Sequence, residues 1–539
     1  MTALRNILLF LFSVAFMLLN CTKRKTVTDK PKLIVTITID GLRADLLDRY
    51  DSAFTGGFRR LRDQGLRYTN AWTNHAVTVS HAGHVSIATG LNPSNHGIVD
   101  AAYYTKVDQK IQLVDAVQDT TEAIVGIPNS PGYSPRKILA TSLADWIVDA
   151  DPNAKTLAVG SGNISSLLYS YKPSSNVYWY WNGKYVTSTY YRNDYPEWVN
   201  QFNKQLFSIK DSITTWDNSI PVEFRNLARN DAADYEGDHK NTTFPHQYDV
   251  ELARIIERSP ARARDIWLSW TPYLDLATLD FAKKGIEKKK LGQRNSTDYL
   301  SIVLSMVDSN SHYYGPMSME ILDTLVRLDQ KLGGFLTYLD TVIGKDRYVV
   351  ALTSDHGFPL MPEYSGNGRR IEQEEIERVF QQTREIVKEQ SLFDTEKRRN
   401  IMALKDDYEF IADIYLPNEL RSEPEGGKDD PYLQLYRNSH RTDRVPRLPF
   451  FSLQNFESPL GKAGYMVRLQ KNLLIHLGNL THGTVYDYDR KVPVIFFGNN
   501  IAPGYSTKEV RSIDIAPSLA KIAGVAYPSS VDGVSLFKK

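Results

Sequence analysis

Four apolar runs recur along the chain, at residues 32–39, 301–307, 347–353 and 492–497, and many of their residues are β-branched. Continuous rather than alternating hydrophobicity is typical of strands in a parallel sheet, because helices cover both of its faces. Between these runs, helical periodicity extends over residues 135–147, 248–257, 276–289, 317–339 and 513–522. This alternation predicts the α/β class, with a central, mostly parallel sheet flanked by helices.

Two long segments interrupt the alternation. Residues from about 168 to 244 are rich in Tyr, Trp, Asn and Ser, and residues from about 359 to 478 contain a charged helical pattern at 370–390. We interpret both as insertions that cap one side of the sheet. Residues 31–539 are then predicted to form a single domain that carries these two insertions.

The N-terminus has the pattern of an export signal. Arg5 precedes an apolar run from Ile7 to Leu19, which is too short for a comfortable membrane span but suits a signal peptide. The run ends at Cys21, the only cysteine of the chain, in a sequence that resembles a relaxed bacterial lipobox. We expect residues 1–20 to be a signal peptide and 21–30 a tether. Cys21 would carry a lipid, which places the protein in the periplasm or on a membrane of a bacterial envelope. The alternative is an ordinary signal peptide with an incidental cysteine.

Composition narrows the chemistry. The 539 residues include 64 Lys and Arg against 63 Asp and Glu, a formal net charge of +1 that gives no reason to expect a nucleic-acid partner. A single cysteine excludes an internal disulfide framework and any cysteine-rich metal site. A metal site in this chain would therefore depend on carboxylates and imidazoles.

Acids and histidines stand at or near the ends of predicted strands. Such strand ends form the edge where open α/β sheets bind ligands. Alone, each of these residues is more often a turn, a helix cap or a buried polar group. Together, three aspartates and three histidines suit two divalent metal sites, with zinc favoured by the imidazoles. They are Asp40, Asp308, His312, Asp355, His356 and His482.

A nucleophile is expected in the segment from 76 to 90, which has the pattern of a turn followed by a helix. Ser80 would lie at the N-terminus of that helix, where backbone N–H groups and the helix dipole favour an oxyanion. A neighbouring metal would lower the pKa of its hydroxyl group. The alternatives are a plain capping role for Ser80, and Thr78 as the nucleophile.

These residues belong to a set of motifs that resembles the alkaline phosphatase superfamily. The resemblance is to its periplasmic alkaline phosphatases with a threonine nucleophile, and type I phosphodiesterases and nucleotide pyrophosphatases are close relatives. It extends from about Lys32 to Leu536. The motifs are Asp40-Gly41, Ser80 with Gly83-His84, Thr89-Gly90, Pro93-Ser94, His96-Gly97-Ile98, Asp308 with His312 and Gly315-Pro316, Asp355-His356-Gly357 and Thr481-His482-Gly483.

The resemblance implies a catalytic domain with two divalent metal ions, expected to be zinc, that hydrolyses a small phosphate ester. Asp308, His312 and His482 would bind the first metal. The second would be bound by Asp40, Asp355 and His356, with Ser80 as a further ligand. Ser80 would replace the threonine nucleophile of that branch, and a phosphoseryl intermediate would form on it.

The chain departs from this branch where a phosphate dianion would be held. Ala101 stands in place of an asparagine, while Asn163 and Ser165 stand in place of a lysine and an arginine. A monoester carries two charges and gains more from such cations than a diester does. This favours a phosphodiester substrate, with Asn163 as a candidate hydrogen-bond donor. Lys172 or Arg192 could supply a charge from elsewhere.

Three alternatives remain open on the sequence alone. The chain could be a phosphomonoesterase of the alkaline phosphatase type. It could be an envelope phosphotransferase that uses the same Ser80 chemistry with an alcohol acceptor. It could also be a binding protein without catalysis on the same fold, which the altered dianion site would allow but the complete set of metal ligands disfavours.

Overall fold

A nine-stranded sheet crosses the molecule. The computed structural model describes residues 30–538 apart from 109, 128, 163–164, 234, 237–242, 252–261, 367, 390–393, 416, 422–429, 448–452, 455–463 and 476–479. The predicted signal peptide, tether and Cys21 therefore lie outside the described residues. The strands are β1 (Leu33–Ile39), β2 (Leu66–Tyr68), β3 (Thr156–Gly160), β4 (Asn176–Trp181), β5 (Lys184–Val186), β6 (Asp298–Leu304), β7 (Tyr348–Thr353), β8 (Val494–Gly498) and β9 (Gly504–Ser506).

The spatial order of the strands is β5-β4-β3-β6-β1-β7-β8-β2-β9. The five neighbours from β4 to β7 run parallel, while β5 and β8 run antiparallel to the strands beside them. β9 is parallel to β2. The predicted α/β class with a mostly parallel sheet is confirmed. Pro31–Lys539 form one compact unit.

Two hydrophobic cores lie on the two faces of this sheet. Along β1, Leu33, Val35 and Ile37 point into one core, whereas Ile34 belongs to the other. All seven residues of β1 are buried, so the strand has no solvent-facing side that would need polar residues. This two-sided burial explains why the central strands were visible in the sequence as continuous apolar runs.

Seventeen α-helices surround the sheet in the described residues. They are α1 (Ala44–Arg49), α2 (Gly57–Gln64), α3 (Ser80–Thr89), α4 (Pro93–His96), α5 (Leu143–Ala150), α6 (Glu197–Lys210), α7 (Ala263–Leu268), α8 (Tyr273–Lys289), α9 (Met306–Tyr314), α10 (Met319–Val342), α11 (Pro362–Ser365), α12 (Gln373–Lys388), α13 (Asp394–Asp407), α14 (Pro417–Arg421), α15 (Leu433–Ser439), α16 (Asp487–Arg490) and α17 (Ile515–Ala523). Within the described range, none is long and apolar enough to span a membrane.

Some element boundaries differ from the prediction. The run at 301–307 ends its strand at Leu304, and its last two residues begin α9. The helix predicted at 135–147 begins only at Leu143, where Ser142 and Asp145 form a capping box. Most of the helix predicted at 248–257 lies outside the described residues.

The first predicted insertion is not a cap throughout. Its segments Asn176–Trp181 and Lys184–Val186 are β4 and β5, which extend the main sheet. Polar residues and tight turns hid these strands, since Asn182 and Gly183 form the connecting turn with positive φ angles. The prediction that residues 168–244 lie only over one side of the sheet is therefore wrong for this part.

The second insertion has a hydrophobic core of its own. Residues from α12, α13 and α15, among them Ile376, Leu404 and Leu435, pack there with Val79 and Ala82 from the start of α3. Short strands complete this region. They are Arg369–Ile371, Ile411–Tyr415, Val445–Pro446, Leu453–Gln454, Gly464–Leu469 and Leu473–Ile475.

Other short strands pair outside the main sheet. Val445–Pro446 pairs with Ala102–Val107, which in turn pairs with Lys110–Asp115. This connects the second insertion to the chain that follows α3. The remaining pairs are Ala71–Trp72 with Val510–Arg511, Gln118–Asp119 with Gly132–Tyr133, and Thr215–Trp216 with His246–Gln247.

Candidate active site

The structure brings the predicted site residues together at the carboxyl ends of the central strands. Asp40 directly follows β1, and Asp355 and His356 follow β7. Asp308 lies in the first turn of α9, just beyond β6. Ser80 is the first residue of α3. His312 is on α9, and His482 is in the loop before α16.

The first group of candidate metal ligands is compact. Asp308, His312 and His482 each offer an atom, and these atoms all lie within 4.8 Å of one another. The two carboxylate oxygens of Asp308 each lie 3.5 Å from Nε2 of one of the histidines. This is the set that the resemblance implies for one metal ion.

The second group lies beside the first. Nε2 of His356 is 3.3 Å from Asp40 and 3.5 Å from Asp355. Two overlapping sets meet the same 4.8 Å distance, Asp40 with His84 and Asp355, and Asp40 with Asp308 and His356. Asp308 therefore borders both groups. His84 belongs to one of these sets, although it was not among the ligands predicted from the sequence.

Two glycines allow this close approach. Gly41 has a φ of +70°, and a Cβ there would lie 2.9 Å from the backbone of Asp308. A Cβ on Gly83 would lie 2.6 Å from the carbonyl oxygen of Asp355. Larger residues would separate β1 from α9, or α3 from the end of β7, and thus spread the ligands apart.

Backbone carbonyls orient three of the histidines. Nδ1 of His312 donates to the carbonyl of Leu480 at 2.6 Å, and Nδ1 of His482 donates to that of Thr78 at 2.8 Å. Nδ1 of His356 lies 2.8 Å from the carbonyl of Gly357. Since a carbonyl can only accept, these bonds place the hydrogen on Nδ1 and leave Nε2 to face the acids. A metal-binding histidine is held in the same way.

Several atoms in the two groups lack a partner. Oδ1 of Asp308, Oδ2 of Asp355 and Nε2 of His84 are buried and accept or donate no hydrogen bond. Buried polar atoms are rarely left unsatisfied in this way. An imidazole lone pair and a carboxylate oxygen that face each other at 3.5 Å repel each other, so a positive charge is required between the two atoms. The donor set of nitrogen and oxygen atoms therefore fits divalent metal ions, including zinc.

The charges of the second group are strongly coupled. Burial, and then the neighbouring charge of Asp40, raises the pKa of Asp355. Burial alone would also raise the pKa of Asp40, but the neighbouring imidazoles of His356 and His84 hold it well below its usual value. Burial would lower the pKa of His356, yet the charges of Asp355 and Asp40 raise it. Without a metal ion, this group would need shared protons to balance its carboxylates.

The pKa values of the two histidines in the first group shift in opposite directions. Burial, followed by the charge of His356, lowers the pKa of His482 to about 3, so this imidazole is neutral. Burial would also lower the pKa of His312, but the carboxylate of Asp308 raises it. A neutral imidazole with Nδ1 protonated is the form that binds a metal through Nε2.

The hydroxyl group of Ser80 faces the candidate metal ligands. Its Oγ lies 3.2 Å from Nε2 of His356 and 3.4 Å from Oδ1 of Asp40. Thr78, the competing candidate, donates its hydroxyl to the carbonyl of Thr484 at 2.7 Å and is fully buried. The geometry thus separates the two candidates, with Ser80 directed into the site and Thr78 directed away.

Sequence reasoning missed His84 as a site residue. Its Nε2 lies 3.5 Å from Asp40 and 3.4 Å from Asp355, and its Nδ1 is 3.1 Å from the hydroxyl of Tyr169. The same hydroxyl is 2.7 Å from Oγ1 of Thr38 on β1. His84 stands within a helix rather than at a strand end, so only its place beside Gly83 in a motif pointed to it.

Sequence reasoning also missed Asp275 of α8. Its buried carboxylate accepts hydrogen bonds from the hydroxyl of Ser161 at 2.6 Å and from the backbone N–H of Ser305 at 3.0 Å. It therefore ties the end of β3 to the start of α9. Burial raises the pKa of Asp275 to about 7.

A cavity of about 520 Å³ opens over Ser80, within the range of roughly 300–1,000 Å³ that ligand sites occupy. Its walls include Ala101, Gly162 and Ser165, so two of the three residues that replace the expected dianion clamp lie there. Asn163 lies outside the described residues. Asp100, beside Ala101, directs its carboxylate to backbone N–H groups at Ala101 and Arg447.

The alternative cations do not line this cavity. Lys172 forms an ion pair with Asp149, and Arg192 donates to Asn176 at 2.6 Å, so the suggestion that either supplies the missing charge is not supported. Two other cations, Arg262 and Arg447, do line the cavity, together with the aromatic side chains of Tyr180 and Trp181.

Known proteins and one protein family resemble this chain over most of its length. A profile of the type I phosphodiesterase and nucleotide pyrophosphatase family matches residues 34–448. Alkaline phosphatase PhoV of Synechococcus elongatus is 29% identical over 94% of this chain and 92% of its own. Alkaline phosphatase PafA of Elizabethkingia meningoseptica is 27% identical over 94% and 93%.

Crystal structures of PafA have the same fold. Wild-type PafA superposes with a TM-score of 0.81 at 25% identity, and the match covers 95% of this chain and 99% of that one. A PafA variant also gives a TM-score of 0.81, at 26% identity and with the same coverage. In that variant serine replaces a threonine, and alanines replace an asparagine, a lysine and an arginine.

Members of this superfamily are metal-dependent, and the described residues of this chain contain the matching candidate ligands. Fold, family profile and relatives point to the same chemistry. The chain therefore belongs to the type I phosphodiesterase and nucleotide pyrophosphatase family of the alkaline phosphatase superfamily, and it is a phosphoric ester hydrolase.

Proposed function

We propose that the chain hydrolyses phosphodiesters with Ser80 as its nucleophile and two divalent metal ions, zinc by preference, as cofactors. The observation that carries this proposal is the position of the Ser80 hydroxyl, within 3.4 Å of both His356 and Asp40. Asp308, His312 and His482 would hold one ion. Asp40, Asp355 and His356 would hold the other, with Ser80 beside it.

The chain's residues would act in two steps. Divalent ions bound there would lower the pKa of the Ser80 hydroxyl and neutralise charge on the phosphoryl group. Oγ of Ser80, its proton lost to water, attacks phosphorus while the bond to the departing alcohol oxygen breaks, and that oxygen takes up a proton. Water then attacks phosphorus and the bond to Oγ breaks, which releases a phosphate monoester and returns a proton to Ser80. The unpaired N–H groups at the start of α3 favour negative charge on Oγ.

A diester preference follows from the replacement of the dianion clamp on the cavity wall. Ala101 and Ser165 offer no charge where the related monoesterases place an asparagine and a cation. The PafA variant carries four substitutions of this kind and still superposes on this chain with a TM-score of 0.81. This supports the view that such replacements are compatible with the fold. A diester carries one charge and also has a second organic group, for which Tyr180 and Trp181 provide an apolar wall.

A paired assay tests this proposal. Purified protein is loaded with zinc, and kcat/KM is measured for bis-p-nitrophenyl phosphate and for p-nitrophenyl phosphate. We expect the diester to be the better substrate and zinc analysis to give about two ions per chain. Ser80→Ala should lower kcat by about 1,000-fold or more, because it removes the nucleophile.

Thr78→Ala is the control, because it removes the competing hydroxyl and should cost far less activity than Ser80→Ala. If Ser80→Ala retained the wild-type rate, the assignment of the nucleophile would be overturned. A better rate with the monoester would overturn the diester preference alone.

The second candidate function is phosphomonoester hydrolysis. The observation that favours it is the name of the related enzymes PhoV and PafA, both alkaline phosphatases. The same pair of substrates decides between the two functions. Product analysis with an added alcohol acceptor would reveal phosphoryl transfer instead of hydrolysis.

We also propose that the protein is exported and anchored in the bacterial envelope by a lipid on Cys21. Support comes from the apolar run before this single cysteine. Metabolic labelling with radioactive palmitate should label the wild type but not Cys21→Ser. Equal labelling of both would reject the anchor.

A further inference from the structure

The second insertion places Arg447 beside Ala101. Val445 and Pro446 pair with Tyr104 and Tyr103 in an antiparallel register. The backbone N–H of Arg447 then donates to the carbonyl of Ala102 at 3.1 Å and to the carboxylate of Asp100 at 2.9 Å. Residues on both sides of Ala101 thus hold the backbone of Arg447, so its side chain starts from a fixed point on the cavity wall.

Three arginines occur at intervals of three residues in this segment, and two of them have structural partners. Arg441 donates to the carbonyl of Ser94 at 2.6 Å. Arg444 donates to the carbonyls of Gly97 and Lys137, both at 2.7 Å. These bonds attach the insertion to the chain that follows α3.

Arg447 differs from the other two in its surroundings. Its side chain is exposed and lines the cavity that Ser80 and Asp308 also line. Among the residues that the structure describes, no hydrogen bond or ion pair holds its guanidinium group. A guanidinium carries five N–H donors, so this group has its full capacity for an anion.

The charges of the other residues that line the cavity indicate which kind of ligand Arg447 would bind. Asp265, another lining residue, is already paired with Lys210 at 3.0 Å and accepts from Tyr180 at 2.8 Å. The remaining acids on the wall, Asp40 and Asp308, belong to the candidate metal groups. Arg447, which lines the same cavity as the neutral side chains of Ala101 and Ser165, is therefore available for a ligand that brings its own negative charge.

We propose that Arg447 is the substrate-binding cation of this site and that its guanidinium binds a non-bridging oxygen of the phosphoryl group. It would supply from the second insertion one positive charge, where the related monoesterases have two at the positions of Asn163 and Ser165, and one charge still suits the singly charged diester. Arginine suits this role because its planar donors match phosphate oxygens. The inference rests on the proposed function, since it assigns a residue to the same phosphate-ester site.

Binding of inorganic phosphate to the zinc-loaded protein tests the inference independently of turnover. Isothermal titration calorimetry compares the wild type with Arg447→Ala and Arg447→Lys. A charge-assisted hydrogen bond is worth enough to predict that Arg447→Ala raises the Kd for phosphate roughly 10- to 100-fold. Arg447→Lys should recover part of this loss, and the melting temperature without phosphate should not change.

Arg262→Ala is the matched control, because Arg262 is an exposed arginine that lines the same cavity. It should raise the Kd for phosphate by less than threefold. An unchanged Kd in Arg447→Ala, or an equal loss in Arg262→Ala, would overturn the inference. A wild type that binds phosphate but hydrolyses no ester would overturn the proposed function and leave the role of Arg447 in binding intact.

Discussion

The imidazole of His84 lies between Asp40 and Asp355, two acids that come from distant parts of the chain. The six predicted ligands could be found in the sequence because each stands near a strand end in a short motif. His84 and Arg447 lacked such a signal. The first lies inside a helix, and the second reaches the cavity from an insertion about 350 residues after Ala101. Only the structure shows that His84 faces Asp40 and Asp355 and that Arg447 faces the cavity.

His84→Gln should weaken zinc binding. The imidazole supports two candidate ligands, and loss of such support typically costs 10- to 100-fold in metal affinity. A competition titration with a zinc chelator gives the dissociation constant. His81→Gln is a suitable control on the same helix, since among the described residues no hydrogen bond or ion pair joins His81 to these acids. Equal zinc affinity in His84→Gln and the wild type would refute the supporting role.

At the scale of elements, the accuracy of the predicted boundaries differed from one element to the next. Continuous apolar runs located β1 and β7 to within one residue at each end. At 301–307 the same apolar character continues into α9, and hydrophobicity alone cannot separate a buried strand from the start of a buried helix. The capping box at Ser142 was a better sign of a helix start than the periodicity before it.

The contact between α3 and the end of β7 gives a prediction for Gly83. A Cβ there would lie 2.6 Å from the carbonyl of Asp355, so Gly83→Ala should destabilise the protein by about 1–3 kcal/mol and lower kcat/KM. Chemical denaturation and the diester assay measure the two effects.

Gly334 of α10 is the matched control for this prediction. A Cβ at this exposed helix position meets no atom within 4 Å. Gly334→Ala should therefore raise stability by about 0.5–1 kcal/mol, since alanine favours the helix. A destabilised Gly334→Ala, or a Gly83→Ala variant of wild-type stability, would contradict the argument from close packing.

At the scale of the whole molecule, the order of the strands was not accessible to sequence reasoning. β1 lies between β6 and β7, which follow it by more than 250 residues, and no local pattern encodes that neighbourhood. β4 and β5 were missed because they are rich in Tyr and Trp rather than in β-branched residues and lie in a segment with many Asn and Ser residues. The general α/β class was predictable because burial on both faces leaves its mark on every central strand.

Long-range contacts also predict a dependence of stability on pH. His246 lies 3.3 Å from Glu251 and 3.1 Å from Glu320 of α10, with the hydroxyl of Tyr314 at 3.5 Å. Burial would lower the pKa of His246, but the hydrogen bonds to these two glutamates raise it to about 9 from an ordinary 6.5. The folded state therefore binds more protons than the unfolded state between these values.

The resulting stabilisation is fully present below about pH 6.5 and is lost as the pH rises through about 9, on the order of 3 kcal/mol in total. Thermal unfolding at pH 6 and pH 10 should show a lower melting temperature at the alkaline pH. His246→Gln should reduce that difference. Identical shifts in the variant and the wild type would show that other groups set the pH dependence.

The shared core of the second insertion and the start of α3 has a consequence for the evolution of this enzyme. Val79 and Ala82, which lie on either side of the proposed nucleophile Ser80 in the chain, are packed by side chains of the insertion. If the insertion served only to select substrates, related enzymes could exchange it without loss of catalysis. Here an exchange would also disturb the position of Ser80, so specificity and catalytic competence must be inherited together. Diversification is then expected through point substitutions on the cavity wall, such as those at Ala101 and Arg447, rather than through replacement of the whole insertion.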